Sequence, residues 1–205
     1  MDLAYYLEAD RIALDRQRNP CFTRQWLAGM LFADDLWHFE IALRRLEYLQ
    51  NQEQRLWIRI RKVFAYRRYL RLSRMLGYTI PINVFGPGLS IAHVGTIVVN
   101  TGARVGANCR LHVCVNIGTE AGCSDKAPQI GDNVYIGPGA KIFGGIEIAD
   151  GCAIGANAVV NKSFLEPGSV IAGVPARKIG EIDTGKILVK ATDILAAQGW
   201  KCGVG

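Results

Sequence analysis

The sequence predicts a mainly β fold, a parallel β-helix built from six-residue repeats and preceded by an α-helical N-terminal region. Three observations predict it. Aliphatic residues recur at every sixth position in two runs, Val99 to Ile117 and Ile130 to Val160, apolar residues recur at helical spacing before residue 80, and Gly and Pro become frequent from about Pro81 onward. We therefore divide the 205 residues into a helical region (1–80), a β-helix (81–180) and a C-terminal tail (181–205).

The N-terminal region has the period of amphipathic helices, with apolar residues three and four positions apart. The residues that show this spacing are Leu43, Leu46, Leu49, Trp57, Ile60 and Phe64. Asn19-Pro20 interrupts the first helical stretch, and Gly77 is placed to end the last one. A further short helix is expected in the tail, over residues 186–198.

The repeat places one inward-pointing aliphatic residue in each hexad. These residues form two unbroken runs: Val99, Val105, Leu111, Ile117, and then Ile130, Ile136, Ile142, Ile148, Ile154, Val160. Four positions after each stands a second inward candidate, often small: Ala103, Cys109, Val115, Ala121, Val134, Ala140, Ile146, Cys152, Ala158 and Phe164. A hexapeptide period is typical of a parallel β-helix, because each unit forms one short strand and a corner, and coils stacked about 4.8 Å apart bury the aliphatic column.

The register is interrupted between Ile117 and Ile130, which lie thirteen rather than twelve positions apart. The segment "TEAGCSDKAP" is polar, contains Gly and Pro and follows no hexad pattern. Such a composition predicts a loop extruded from the coil. Loops on rigid scaffolds often carry binding groups.

Composition and charge narrow the class of protein. Half of the residues are hydrophobic and the formal charge is +6, of which residues 1–80 supply +5. The N-terminus has no signal-peptide pattern and no stretch is apolar enough to span a membrane, so a cytoplasmic location is expected. The six cysteines form no CxxC pair and no metal-ligand spacing, which favours reduced thiols.

Two segments, together with the helical N-terminal region, make the chain resemble a hexapeptide-repeat acyltransferase, in the serine acetyltransferase-like branch with relatives found in surface-polysaccharide gene sets. "GPGLSIAHVGTIVVN" opens the repeat and "IAGVPARKIG" closes it. The resemblance covers roughly residues 35–180. It implies a left-handed, three-sided β-helix, homotrimers with active sites between subunits, and acetyl-CoA as the acyl donor. Whether trimers pair through their helices stays open.

The resemblance assigns His93, in "SIAHV", as the general base that takes the proton of the acceptor hydroxyl. An imidazole with an ordinary pKa near 6.5 suits this role at neutral pH. His112 stands nineteen residues later and directly after an inward aliphatic, so it is expected to point outward. It either supports acceptor or transition-state binding or lies at a surface or subunit contact. A zinc site needs three convergent ligands; with two histidines in the repeat, no metal is expected.

For the donor, the resemblance places Thr119, Pro138 and Ala156 along the pantetheine groove. Arg177 and Lys178, in "PARK", are the expected partners of the CoA phosphates. Their alternative role is as solvated charges of the tail.

The acceptor is predicted from departures from the serine acetyltransferase pattern. Ala92 stands where those enzymes have an aspartate before the histidine, and Tyr78 falls on a second acidic position. The loop carries no Arg-His pair, and only Asp125 and Lys126 could replace it as substrate-binding residues. Because a zwitterionic acceptor needs a charged partner at each end, these departures favour a sugar of a surface polysaccharide or its precursor. L-serine is the alternative acceptor, and a non-catalytic β-helix that serves as an assembly module is a second alternative.

The segment "RLWIRIRKVFAYRRYLRLSR", residues Arg55–Arg74, mixes aromatic and basic residues at helical spacing. One interpretation is a helix whose aromatic residues pack on the β-helix while its arginines face solvent. The sharper alternative is peripheral contact with the anionic inner face of a membrane. Nucleic-acid binding is not expected, because no recognised reader motif accompanies the charge.

Overall fold

Three helices form the N-terminal part of the structure. The computed structural model describes residues 1–17, 35–53, 55–123 and 125–201, so the Asn19-Pro20 break predicted above lies outside the described residues. The helices are α1 (Leu3–Gln17), α2 (Asp35–Gln50) and α3 (Leu56–Leu76). Helix α3 ends at Gly77, whose left-handed conformation (φ 78°) lets its N–H bond back to the carbonyl of Ser73.

Short strands then wind through three sheets, parallel except at β14, which together form a three-sided β-helix. Sheet A contains β1 (Tyr78–Thr79), β3 (Ile97–Val99), β6 (Asn116–Gly118), β9 (Lys141–Phe143) and β12 (Val159–Val160). Sheet B contains β4 (Arg104–Val105), β7 (Gln129–Ile130) and β10 (Glu147–Ile148). Sheet C contains β2 (Ser90–Ile91), β5 (Arg110–Leu111), β8 (Tyr135–Ile136), β11 (Ala153–Ile154), β13 (Ser169–Ala172) and β14 (Arg177–Glu181).

The predicted hexad register forms the core of this β-helix. All ten inward aliphatic residues of the two runs are buried, and Cys109 and Cys152 are core residues as predicted. Burial raises the pKa of the Cys109 thiol to about 12. The second inward set fails at Ala121, which is exposed because the chain there leaves the coil in a turn closed by the bridge between Glu120 and Cys123.

The turns that join sheet C to sheet A are not all of the same length. In the turns from sheet C to sheet A, the inward residues Leu111 and Ile117 lie six positions apart. The preceding turn joins Ile91 to Val99 over eight positions, because two extra residues are accommodated between them. The first of these corners is therefore enlarged.

The tail turns back onto the body of the protein. Strand β14 pairs antiparallel with β13, a 3₁₀ helix spans Thr184–Lys186, and α4 (Ala191–Ala197) is shorter than the helix predicted for residues 186–198. Leu195 of α4 is fully buried in a small apolar cluster with residues of α1.

A buried ion cluster joins the helices to the first coil. The Arg44 guanidinium of α2 donates to both carboxylate oxygens of Asp10 (2.6 and 3.2 Å) and to Glu47 (2.9 Å). It also donates to the carbonyls of Phe85 and Gly86 at 2.8 and 2.6 Å. The Asp10 carboxylate in turn accepts the backbone N–H groups of Gly88 and Leu89. Each charged group of the cluster thus has an oppositely charged partner, at the buried interface where α1 and α2 meet the first coil.

The buried residues of helix α3 lie in its C-terminal half: Tyr69, Leu72, Ser73 and Leu76. The aromatic residues of its N-terminal half do not pack on the β-helix, since Trp57 is 65% and Phe64 68% exposed. The interpretation that the aromatic residues of Arg55–Arg74 pack on the β-helix is therefore wrong for these two side chains.

Among the described helices, none has the length and hydropathy needed to cross a bilayer.

Candidate active site

The turns from sheet C to sheet A, here called the C–A corner, hold the predicted base. Strand register aligns Ser90 with Arg110, Tyr135 and Ala153 in successive coils. Counting from these residues, His93, Val113, Pro138 and Ala156 occupy equivalent positions on successive turns of one corner. His93 lies on the enlarged first turn, and its side chain is exposed.

Tyr78 holds the backbone of this turn. Its buried phenol donates a hydrogen bond of 2.8 Å to the carbonyl oxygen of His93. Burial, followed by the Glu40 carboxylate, raises the pKa of Tyr78, so its phenol stays protonated and able to donate. Tyr78, which the resemblance aligned with an acidic position, therefore contacts the backbone of His93.

His112 lies one coil further along, at the position equivalent to Ala92. Its ring centroid is 6.1 Å from that of His93 and 5.1 Å from that of Tyr135. Its Nε2 atom is buried without a hydrogen-bond partner among the described residues. Burial, Arg110 and His93 together lower the pKa of His112 to about 4, so this imidazole is neutral at physiological pH. The structure thus brings the two histidines of the repeat together.

Arg110 is a site residue that the sequence analysis missed. It stands two residues before His112, on the outward face of sheet C, and its Nη1 lies 3.2 Å from Ser90 Oγ. Partial burial lowers its pKa, against an opposing effect of Tyr135. The available signal was its outward position in the hexad that contains His112, but no motif marks it.

Two of the predicted donor-binding positions line the same corner. Pro138 and Ala156 are both exposed and lie on adjacent coils, about 10 and 14 Å from the His93 level at a coil spacing near 4.8 Å. Arg177 is paired in register with Ala172, on the coil after Ala156. Lys178 differs, because its ammonium contacts the carboxylates of Glu166 (2.6 Å) and Glu181 (2.9 Å). These contacts raise the pKa of Lys178.

The remaining predicted site residues lie elsewhere in the chain. Thr119, Asp125 and Lys126 belong to the turn that leads out of sheet A, so one face of the β-helix separates them from the C–A corner. Asp125 is exposed, and the Lys126 ammonium lies 2.9 Å from the Glu120 carboxylate. Within one chain, the structure does not bring this loop to His93.

Comparisons with known proteins agree with the repeat. The family described as "Bacterial transferase hexapeptide (six repeats)" matches residues 127–162. "Serine acetyltransferase 3, mitochondrial" from Arabidopsis thaliana is 38% identical over 133 residues, which are 64% of this chain and 34% of that protein. The chain thus spans about a third of the length of this relative.

Solved structures extend the likeness to most of the chain. Serine acetyltransferase from Brucella abortus strain S19 matches with a TM-score of 0.68 and 31% identity, covering 87% of this chain and 69% of that one. The Brucella protein is also solved in complex with coenzyme A. A soybean serine acetyltransferase complexed with serine matches with a TM-score of 0.67 and 27% identity, covering 86% of this chain and 69% of that one.

The predicted acceptor, a sugar of a surface polysaccharide or its precursor, is corrected by these comparisons. Relatives at 31–38% identity are named serine acetyltransferase, which favours the alternative acceptor, L-serine. The prediction relied on charges missing at Ala92, Tyr78 and the loop. It overlooked Arg110, a cation on the same face as the histidines that the family pattern does not mark.

Proposed function

The chain belongs to the hexapeptide-repeat transferase family, and we propose that it is a serine O-acetyltransferase, which moves an acetyl group from acetyl-CoA to the hydroxyl of L-serine. The observation that carries the proposal is the His93–His112 pair at one end of the C–A corner, whose later turns carry Pro138 and Ala156. An extended thioester arm lying along this corner brings its reactive carbon to the level of the histidines.

His93 is the general base. It accepts the hydroxyl proton of L-serine as the serine oxygen attacks the thioester carbonyl carbon. When the carbon–sulfur bond breaks, His93 returns the proton to the leaving sulfur, so free CoA and O-acetylserine are formed. Positioned general bases of this kind contribute typically about 10²–10⁴-fold to the rate.

His112 and Tyr78 act beside the base. Since the lowered pKa of His112 keeps its ring neutral, it places no positive charge against His93 when that ring becomes an imidazolium. Tyr78 fixes the turn that carries His93 through its hydrogen bond to the backbone. Both roles depend on the coil geometry and not on a carboxylate next to the base.

Coenzyme A lies along the corner toward Arg177. Pro138 and Ala156 border the pantetheine arm through their backbone, and Arg177, the first residue of β14, is the phosphate partner. Lys178 is held by Glu166 and Glu181, which makes Arg177 the better candidate of the two.

The catalytic unit is a homotrimer of left-handed β-helices. In a single chain, sheet A separates the turn with Thr119, Asp125 and Lys126 from His93, so this turn serves the corner of a neighbouring protomer. Exposed Val98 and Phe143, on the outward face of sheet A, support a subunit contact there. A native mass of about three times the 22.5 kDa chain is expected.

The test is acetyl transfer measured by mass spectrometry of O-acetylserine, with the variant His93→Asn and the matched control His38→Asn in α2. The wild type and His38→Asn are expected to acetylate L-serine at similar rates, while His93→Asn loses about 10²-fold or more in kcat. Circular dichroism and native mass show whether each variant remains folded.

Two results would contradict the proposal. A folded His93→Asn protein with nearly wild-type kcat removes His93 from the mechanism. A wild-type protein that neither turns over L-serine nor binds CoA would favour the non-catalytic assembly module.

A further inference from the structure

We infer that Arg110 forms a carboxylate-binding site beside the two histidines and thereby selects an amino-acid acceptor. This inference rests on the proposed function. It starts from the contacts of the guanidinium: its hydrogen-bond partner in the described part of the chain is Ser90 Oγ, and no described carboxylate forms an ion pair with it. A half-buried cation with one neutral partner has unused donors.

The surroundings of Arg110 favour an anion there. The side chain is partly buried, and it lies close enough to His112 and Tyr135 to interact electrostatically with both. An arginine taken out of water is stabilised by a carboxylate, whose two oxygens match the two parallel N–H groups of the guanidinium. The other arginine in the described structure that is not exposed, Arg44, is fully buried and has two carboxylates of its own.

The position of Arg110 also suits the reaction. Electrostatic interactions with Arg110 and His93 both lower the pKa of His112, so the three side chains lie close together on the outward face of the β-helix. An acceptor whose carboxylate binds Arg110 can direct a hydroxyl two carbons away toward the histidine pair. Lys126 cannot take this role within the same chain, because it lies beyond sheet A and is paired with Glu120.

The experiment compares L-serine with L-serinamide, which lacks the negative charge, in the wild type and in Arg110→Gln. Arg104→Gln, at an exposed arginine of β4, is the matched control. We expect Arg110→Gln to lower kcat/KM for L-serine by about 10- to 100-fold and to leave that for L-serinamide within about 3-fold. Arg110→Lys keeps the positive charge but lacks the two parallel N–H groups of the guanidinium, so its kcat/KM for L-serine is expected to lie between those of the wild type and Arg110→Gln.

The outcomes separate the two proposals. Wild-type turnover of L-serine with unchanged serine-to-serinamide preference in folded Arg110→Gln overturns the Arg110 site alone. An equal loss with both acceptors also overturns it, because a merely structural role would have that effect. No turnover of L-serine by the wild type overturns both proposals.

A second inference comes from a different surface, the outer face of α3, which we define as Leu56, Trp57, Ile60, Val63, Phe64, Arg67, Arg71 and Arg74. Because an α-helix completes a turn in about 3.6 residues, these positions all fall on one side of the helix. That side is opposite the packed residues Tyr69, Leu72 and Leu76. All eight side chains are exposed.

The positive charge of α3 indicates which kind of partner this face binds. The helix contains seven Lys or Arg residues between Leu56 and Leu76 and no acidic residue. Two copies that met through this face would place arginines against arginines. We propose that it docks on an anionic lipid surface, where Trp57, Phe64 and their apolar neighbours enter the headgroup boundary and the arginines bind lipid phosphates.

Co-sedimentation with vesicles tests the docking surface. The wild type is expected to bind vesicles of phosphatidylcholine with phosphatidylglycerol at about 0.1 M salt, and not vesicles of phosphatidylcholine alone. Two variants, Trp57→Ser with Phe64→Ser, and Arg67→Gln with Arg71→Gln and Arg74→Gln, should each reduce binding about 10-fold or more. The control replaces three exposed cations of the β-helix, Arg104, Lys141 and Lys162, with Gln and should bind like the wild type.

Three results would overturn this inference. The first is no binding of the wild type to anionic vesicles, and the second is binding that neither variant changes. The third is a lower native mass in the variants without any vesicle binding by the wild type, which would show that a second copy of the chain occupies the face.

Discussion

Two tyrosines each donate a hydrogen bond from the phenol to a backbone carbonyl, but only one of these carbonyls belongs to His93. Comparing the two residues therefore distinguishes a role in positioning His93 from a role in the stability of the fold. Tyr78 donates to the carbonyl of His93 and Tyr69 donates to the carbonyl of Ile80, at 2.8 and 2.6 Å. Both phenols are buried, and the Tyr69 bond lies outside the C–A corner.

We expect Tyr78→Phe and Tyr69→Phe each to lower the free energy of unfolding by about 1 kcal/mol. Tyr78→Phe alone should also lower kcat, by about 10- to 100-fold, because the turn that carries His93 loses its anchor and small displacements at a reacting group are expensive. Steady-state kinetics and thermal melts of both variants check this. Equal kcat values in the two variants would show that the Tyr78 bond is only structural.

His112 makes stability depend on pH. Its pKa in the folded protein, about 4, is lower than the ordinary value of 6.5, chiefly because of burial. Between these values the unfolded chain binds more protons than the folded one, so acidification through this window destabilises the protein. The contribution of neutral His112 to the free energy of unfolding is therefore fully present above about pH 6.5 and is lost as the pH falls toward 4.

The check is the change in Tm between about pH 7.5 and pH 5. His112→Gln should lose less stability than the wild type over this interval, because the titrating group is gone. His38→Gln, outside the site, is the control and should follow the wild type. If His112→Gln and the wild type lose equal stability, the imidazole is not buried in its neutral form.

At the scale of an element, the corner between sheets B and C depends on a column of glycines. A Cβ atom on Gly86 would lie 2.8 Å from the carbonyl carbon of Gly106, and one on Gly106 would lie 2.7 Å from that of Gly131. Successive turns of this corner stack too closely for a side chain. Gly180 in β14 has no atom within 4 Å of the corresponding position.

Gly106→Ala is therefore expected to lower the free energy of unfolding by about 1–3 kcal/mol, since backbone atoms must move apart. Gly180→Ala is the control and should change it by less than about 0.5 kcal/mol. Chemical denaturation with a common m-value measures both. A stable Gly106→Ala protein would mean that the turns can separate at little cost.

The elements also show how far sequence reasoning reached. A hexad register depends on local period alone, so all ten inward aliphatic residues were predictable. The enlarged turn with His93 was not, because the register begins at Val99 and two extra residues before it leave no local mark. The same applies to contacts between distant residues: nothing near Arg44 in the sequence indicates Asp10, 34 positions away. Arg110 was missed because a single outward arginine has no motif.

At the scale of the whole molecule, the Arg44 cluster makes the helices and the β-helix interdependent. Arg44→Ala would leave the carboxylates of Asp10 and Glu47 buried without a cation. We expect a loss of about 3–5 kcal/mol and a decrease in Tm of about 6–20 °C. Arg45→Ala, at the exposed neighbouring residue, should have little effect.

Calorimetry of the two variants checks this expectation. Arg44→Ala should still unfold in a single transition at lower temperature if helices and β-helix share one cooperative unit. An unchanged Tm would mean that the buried carboxylates become protonated without penalty.

The reversed direction of β14 has a consequence for polymerisation. A stack of parallel coils ends in a row of free backbone groups that could template further coils from another molecule, as in a growing fibre. In sheet C the last strand runs antiparallel to β13 and carries Arg177, Lys178 and Glu181. A parallel coil from another molecule would meet an antiparallel hydrogen-bond pattern and charged side chains at this edge. The reversed strand therefore prevents further molecules from adding to this end of the β-helix.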